Sequence, residues 1–330
     1  MRVVSLLPSA TDILVAVGAG DLLVGRSHEC NADWHGGDLS DLPVLTSART
    51  AYDPEKGAAD VDRQVREADP AAGLYELDEA LLRDLQPDVI ITQDLCDVCS
   101  IDLRTVERVA ADLKTPAGVP PRIVSLDPET VEGILDDVLL VGDAVGRSGA
   151  AAPVVRRLRE RMWRAQEFVN PYSADAGIVA FLEWTDPVFV AGHWTVQLIE
   201  RAGGRHPWNE TVPRPGSGAG AGPQQGERVA GKSVRVEPSL IAAVRPDWVV
   251  VAPCGLKLDE TRAEAERLLD QDWFASLDAL KAGRVALVDG DRYFNRPGPS
   301  VVDAFEWLVG WVQKRPELIP EGFAWAEFTR

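Results

Sequence analysis

The sequence predicts an α/β protein: two Rossmann-like lobes with parallel sheets, joined by one long connecting helix, with a ligand cleft between the lobes. Three observations carry this expectation. Residues 75–92 and 234–251 each read as a short helix, a Pro-Asp turn and a buried apolar strand, with Pro87-Asp88 answering Pro246-Asp247. A second echo links Arg122-Ile-Val-Ser-Leu-Asp127 to Arg284-Val-Ala-Leu-Val-Asp289, in the same order along the chain. Between the halves, Val154, Leu158, Met162, Ala165 and Val169 recur at helical spacing. The lobes are assigned to residues 1–147 and 173–330, with the connecting helix over 148–172.

Each element follows from local pattern. Lobe one opens with a strand from Arg2 to Leu7, a helix from Ala10 to Val17 stopped by Gly18 and Gly20, and a strand from Asp21 to Gly25. Residues 46–75 are polar, and Val61, Val65 and Ala68 predict one short amphipathic helix there. The first Pro-Asp strand runs into the loop Gln93 to Cys99. A helix through Leu103, Val106, Val109 and Leu113 follows, then a strand from Ile123 to Leu126 and a helix opened by Asp127-Pro-Glu129. Pro153 is placed in the first turn of the connecting helix, where a missing N–H costs nothing. Lobe two reads as strands Gly177 to Leu182 and Val188 to Ala191, then a helix from Trp194 to Ala202 closed by Gly203-Gly204. A Gly- and Pro-rich loop covers 213–231. The second Pro-Asp strand, a helix from Glu260 to Asp270, a strand from Val285 to Val288 and a helix from Val301 to Val312 complete it. Trp163, Trp248 and Trp307 fall within regular elements and are expected in the core.

The chain has 330 residues, enough for two lobes that each bury a core, and its 45% hydrophobic and 26% charged residues describe a globular protein. A net charge of −18 argues against a nucleic-acid partner, which would need exposed Lys and Arg to neutralise phosphates. No run approaches about 18 consecutive apolar residues, so the chain is not expected to be membrane-embedded. Pro8, Ser9, Thr11 and Asp12 interrupt the N-terminal run Val3 to Leu7 short of an export signal, so a cytoplasmic location with reduced thiols is expected.

Parallel sheets bind ligands beyond the carboxyl ends of their strands. That rule selects Pro8, Ser9, His28, Glu29, Asp94 and Cys96 in lobe one, and Trp184, Trp194, Cys254, Phe294 and Arg296 in lobe two. Trp184, Trp194 and Trp208 offer flat rings for stacking, and Arg296, set between prolines, suits a carboxylate or amide arm. His28, Cys30, Cys96 and Cys99 combine thiolates with an imidazole, a set that suits zinc or iron, or a metal held in a cofactor. Buried cysteines acting as small apolar residues are the alternative. Gly226 to Ser233 satisfies the Walker A pattern, but neither a buried strand before it nor a helix after it is in view, which excludes a phosphate loop. No nucleophile with a paired base stands out, and no catalytic residue is assigned.

The order of elements resembles the helical-backbone periplasmic binding proteins, which capture cobalamin, ferric siderophores, haem or metal ions for ABC importers. The segments that carry the resemblance are Arg2 to Thr11, Leu85 to Ile91, Phe189 to His193, Ile199 to Gly204, Val244 to Asp247 and Asn295 to Val301. The sequence is most similar to the cobalamin-binding branch. There, by the resemblance, the loop after the first Pro-Asp strand and the Tyr293 to Arg296 segment contact the ligand; here Cys96 and Cys99 stand where an aromatic residue is expected.

The resemblance implies a binding protein, not an enzyme: a monomer whose partner is a small molecule, either cobalamin or a related metal chelate. Without an export signal, docking to an importer's permease is not expected. The alternative is a metal-binding chaperone or metal-dependent enzyme built on the His and Cys cluster.

Overall fold

The computed structural model describes residues 1–30, 39–69, 73–94, 101, 103–170, 176–216 and 228–329. Two compact units emerge. Unit 1 comprises Met1–Ala51, Arg63–Pro128 and Gly133–Leu158, and unit 2 comprises Tyr52–Asp62, Glu129–Glu132 and Arg159–Arg330.

In chain order, the first elements are β1 (Val3–Ser5), α1 (Pro8–Ala16), β2 (Leu23–Arg26), β3 (Thr46–Ala48), α2 (Ala58–Glu67), β4 (Tyr75–Leu77), α3 (Glu79–Leu85) and β5 (Val89–Gln93). They continue with α4 (Leu103–Ala111), β6 (Arg122–Leu126), α5 (Val131–Ala144) and α6 (Ser148–Gln166). The main sheet of unit 1 runs β2-β1-β5-β6 and is parallel throughout, as expected. Its core gathers Val4, Leu6 and Ile90 from the sheet with Leu82, Val106 and Val109 from α3 and α4. The polar stretch 46–75 holds more than one helix: β3 and β4 form an antiparallel pair beside the main sheet.

The second half contains β7 (Val179–Thr185), β8 (Val188–Val190), α7 (His193–Arg201), β9 (Val212–Pro213), β10 (Arg228–Val229), β11 (Val234–Arg235), α8 (Pro238–Val244) and β12 (Trp248–Val251). Then come α9 (Leu258–Leu269), α10 (Asp272–Ala275), α11 (Asp278–Lys281), β13 (Val285–Val288), α12 (Val301–Val312) and β14 (Trp325–Glu327). The sheet order is β11-β8-β7-β12-β13-β14. β7, β12 and β13 pair in parallel, while β8 and β14 run against them and β11 pairs antiparallel to β8, which makes the sheet mixed. The expected parallel sheet is thus its centre. The antiparallel edges arise because β8 returns from β7 through the cis Asp186–Pro187 turn and the C-terminal strand β14 folds back on β13.

Helix α6 starts at Ser148, so Pro153 lies inside it and not in its first turn. The expected apolar positions Val154, Leu158, Met162, Ala165 and Val169 are all buried. Trp163 corrects the expectation of a core residue: it is 71% exposed, because it stands one residue, about 100° of helix rotation, away from the buried Met162. Trp307 is fully buried, as expected.

The repeat seen in the sequence is a repeat of hydrogen bonds. Each Pro-Asp turn follows a helix closed by a left-handed residue, Gln86 (φ 43°) or Arg245 (φ 56°), since the proline immediately after it cannot continue a helix. The aspartate then grips the start of the neighbouring strand. Asp88 Oδ2 accepts from Arg2 N at 2.7 Å while Arg2 O accepts from Asp88 N at 2.8 Å and from Val89 N at 3.2 Å. In unit 2, Asp247 Oδ2 accepts from Ile178 N at 2.9 Å, and Ile178 O accepts from Asp247 N at 2.8 Å and Trp248 N at 3.1 Å. Both carboxylates are partly exposed, so each clamp contributes about 1–2 kcal/mol. Asp247→Ala and Asp88→Ala are each expected to lower stability by about that much in urea denaturation, with the Asn variants retaining part of it.

Candidate functional site

The carboxyl end of β2 in unit 1 carries Ser27, His28, Glu29 and Cys30. Thr46 from β3 organises them: its hydroxyl donates to Ser27 Oγ at 3.0 Å and accepts from His28 N at 3.1 Å. Because Thr46 donates to Ser27, His28 Nδ1, 2.8 Å away, is the donor to it. Nε2 lies 4.0 Å from Glu29 Oε1, and that oxygen also accepts from the Tyr75 hydroxyl at 3.3 Å.

Cys30 is 1% exposed and belongs to a different network. Ser5 Oγ donates to Leu7 O at 2.8 Å, Thr11 Oγ1 donates to Ser5 Oγ at 2.8 Å, and Cys30 Sγ lies 3.0 Å from Thr11 Oγ1. Cys30 thus ends a buried chain of hydroxyl contacts that starts at Ser5. Cys96 and Cys99 lie outside the described residues. Among the described residues no group of three or more His, Cys, Asp or Glu side chains stands close enough to hold a metal ion. Pro8 and Ser9 are buried in the first turn of α1, and Asp94 is exposed just beyond β5.

Unit 2 brings its strand ends together more tightly. Glu183, near the end of β7, is half-buried; Ser233 donates to its Oε2 and Gly192 N approaches Oε1 at 3.5 Å. Trp184, beside it, is also half-buried. Gly192 is required by close approach, since a Cβ there would sit 2.3 Å from Ser233 N. Asn209 locks the same crossing by donating to Ala191 O at 2.9 Å and Lys232 O at 3.0 Å. Ser233 is thus a buttress of Glu183, and the residues after it form β11, so the Walker-like string has no helix behind it.

The other unit 2 candidates take structural positions. Trp194 is 6% exposed, and its Nε1 donates to Phe294 O at 2.5 Å. Phe294 is fully buried at φ 58°, edge-on to Phe181 with ring centroids 4.8 Å apart. Arg296 is buried and ion-paired with Asp291. Cys254 is exposed, and its N–H donates to Glu183 O at 3.0 Å. Trp208 packs against the unit 2 core, its ring 5.3 Å from that of His206. Thr46 and Ser233 are not among the residues the sequence singles out: Ser233 is hidden inside the false phosphate-loop pattern, and Thr46 comes from a segment without a motif.

The family model described as periplasmic binding protein matches residues 3–291. The chain belongs to the periplasmic binding protein family. Solved structures agree on the fold. A periplasmic heme-binding protein from Pseudomonas aeruginosa is 20% identical, with 95% of this chain and 92% of that chain covered at a TM-score of 0.64. The heme-binding protein RhuT from Roseiflexus sp. RS-1, in apo form, is also 20% identical, covering 95% and 98% at 0.63. The vitamin B12 binding protein BtuF of Vibrio cholerae is 16% identical, covering 96% and 98% at 0.62. No curated protein matches the chain in sequence. No helix among the described residues is long and apolar enough to cross a membrane.

One further acid in this periplasmic binding protein stands near a strand end. Asp137, on α5, is buried, and its Oδ2 has no hydrogen-bond partner. Burial, and then the charges of Asp127 beyond β6 and of Asp136, push its pKa up to about 7. The folded state therefore holds this proton more tightly than the unfolded chain does. Its stabilising effect is complete below the unfolded value near 3.8 and is lost as pH rises toward 7, a difference of up to about 4 kcal/mol. Asp137→Asn is expected to be more stable than the wild type at pH 8 and to converge with it near pH 4, as read from paired urea melts.

Proposed function

We propose that this binding protein captures a corrinoid or similar metal chelate whose rim is rich in amides, and that the carboxyl end of β7 is where unit 2 meets it. One observation carries the reading: Glu183 is fixed as a hydrogen-bond acceptor, and the next residue along β7, Trp184, is partly exposed. An oriented carboxylate suits amide N–H donors, and an indole face suits a flat macrocycle. Arg296, the cation the sequence offers for a carboxylate arm, is already balanced by Asp291, which favours amide side arms over propionates. His28 and Glu29 offer comparable chemistry at the β2 end of unit 1. Family membership and the known ligands of structurally similar proteins, heme and vitamin B12, support the ligand class.

Titration with cyanocobalamin, haem and a ferric hydroxamate chelate, followed by tryptophan fluorescence, tests this. Saturable quenching is expected with cobalamin and weaker quenching with haem. Glu183→Gln and Trp184→Ala are each expected to weaken cobalamin binding about tenfold, the scale of one charge-assisted hydrogen bond or one aromatic contact. A flat cobalamin response beside tight haem binding would reverse the assignment.

A further inference from the structure

The segment Tyr52–Asp62 belongs to unit 2, although the chain before it, to Ala51, and after it, from Arg63, belongs to unit 1. One carboxylate holds it. Glu264, on α9, is 2% exposed. Its Oε1 accepts from the Tyr52 hydroxyl at 2.8 Å and from Ala58 N at 3.1 Å, and its Oε2 accepts from Thr185 Oγ1 at 2.7 Å. Arg267 reinforces the contact, with Nε 3.4 Å from Glu264 Oε1 and Nη2 donating to Pro54 O. Gly57 adopts φ 72°, and a Cβ there would lie 2.8 Å from the same carboxylate oxygen. Burial, and next the neighbouring Glu264, raise the pKa of the Tyr52 phenol, so it remains a donor through the alkaline range.

The position of Thr185 gives this cluster its meaning. It is the last residue of β7, two beyond Glu183 and next to Trp184. A buried carboxylate costs desolvation energy that an apolar residue would avoid, so packing alone does not account for Glu264. What the carboxylate adds is a bond from one oxygen to the segment and from the other to the strand end.

We propose that Glu264 is a positioning residue for the ligand site: it ties the Tyr52–Ala58 segment to the end of β7, so that docking of the segment and ligand capture at Glu183 and Trp184 favour one another. The inference rests on reading the β7 end as the place of binding. By linkage, whatever loosens the segment weakens the ligand, and bound ligand holds the segment down by the same factor.

Hydrogen exchange on the full chain, with and without cyanocobalamin, tests the link in the wild type, Tyr52→Phe and Thr185→Val. Tyr52→Phe is expected to speed exchange in residues 52–58 and also at residues 183–185, and to weaken cobalamin about tenfold. In Thr185→Val, added cobalamin is expected no longer to slow exchange in residues 52–58, although it does so in the wild type. Unchanged exchange at residues 183–185 in Tyr52→Phe overturns the inference whether or not cobalamin binds. Faster exchange there in Tyr52→Phe, combined with wild-type exchange that does not respond to cobalamin, overturns the ligand reading instead and leaves the mechanical tie in place.

Discussion

Everything at the strand ends depends on how the strands begin. In each half, one aspartate following a proline takes the first amide of the neighbouring strand, while the backbone beside it returns two bonds to that residue's carbonyl. The clamp sets the register of β1 on β5 and of β7 on β12. A slip of one residue would exchange the faces of every side chain along the strand. With register fixed at one end, the residues at the other end are fixed too, among them Pro8 and Asp94 beyond β1 and β5 in unit 1 and Glu183 to Thr185 in unit 2. Proline supplies the stop and aspartate supplies the grip, and the pairing of the two accounts for the survival of this dipeptide in both halves.

Elements with strong periodicity or an internal echo were readable from the sequence: the Pro-Asp strands, α6 through its buried Val154 to Ala165 row, although it ends at Gln166 and not at 172, and α12 to the residue. The antiparallel additions were not. β3, β4, β11 and β14 are two or three residues long, and their place is decided by partners far away in the chain, with no local pattern to report it. The same limit applies to side chains. His28 and Glu29 could be placed at a strand end by counting, but Thr46, which orients His28, comes from one of those short strands. Trp194 and Arg296 were selected by strand-end logic, yet a count of positions cannot show that an indole N–H is used by a carbonyl or that a guanidinium already has its counter-ion.

That distinction between position and availability shapes the chemistry. Arg296 and Asp291 compensate one another in a buried pair, and Cys30 closes a chain of hydroxyls. Glu183, by contrast, accepts from a serine hydroxyl and lies near a backbone amide, which together orient its carboxylate.

The sharing of residues between units has an evolutionary side. A duplicated architecture invites exchange of halves as cassettes, one recombination event swapping a whole lobe. Here no single crossover point separates the units, because residues 52–62 and 129–132 are encoded amid unit 1 and fold with unit 2. A grafted second lobe would arrive without the tyrosine and glycine that its own buried glutamate was shaped to receive.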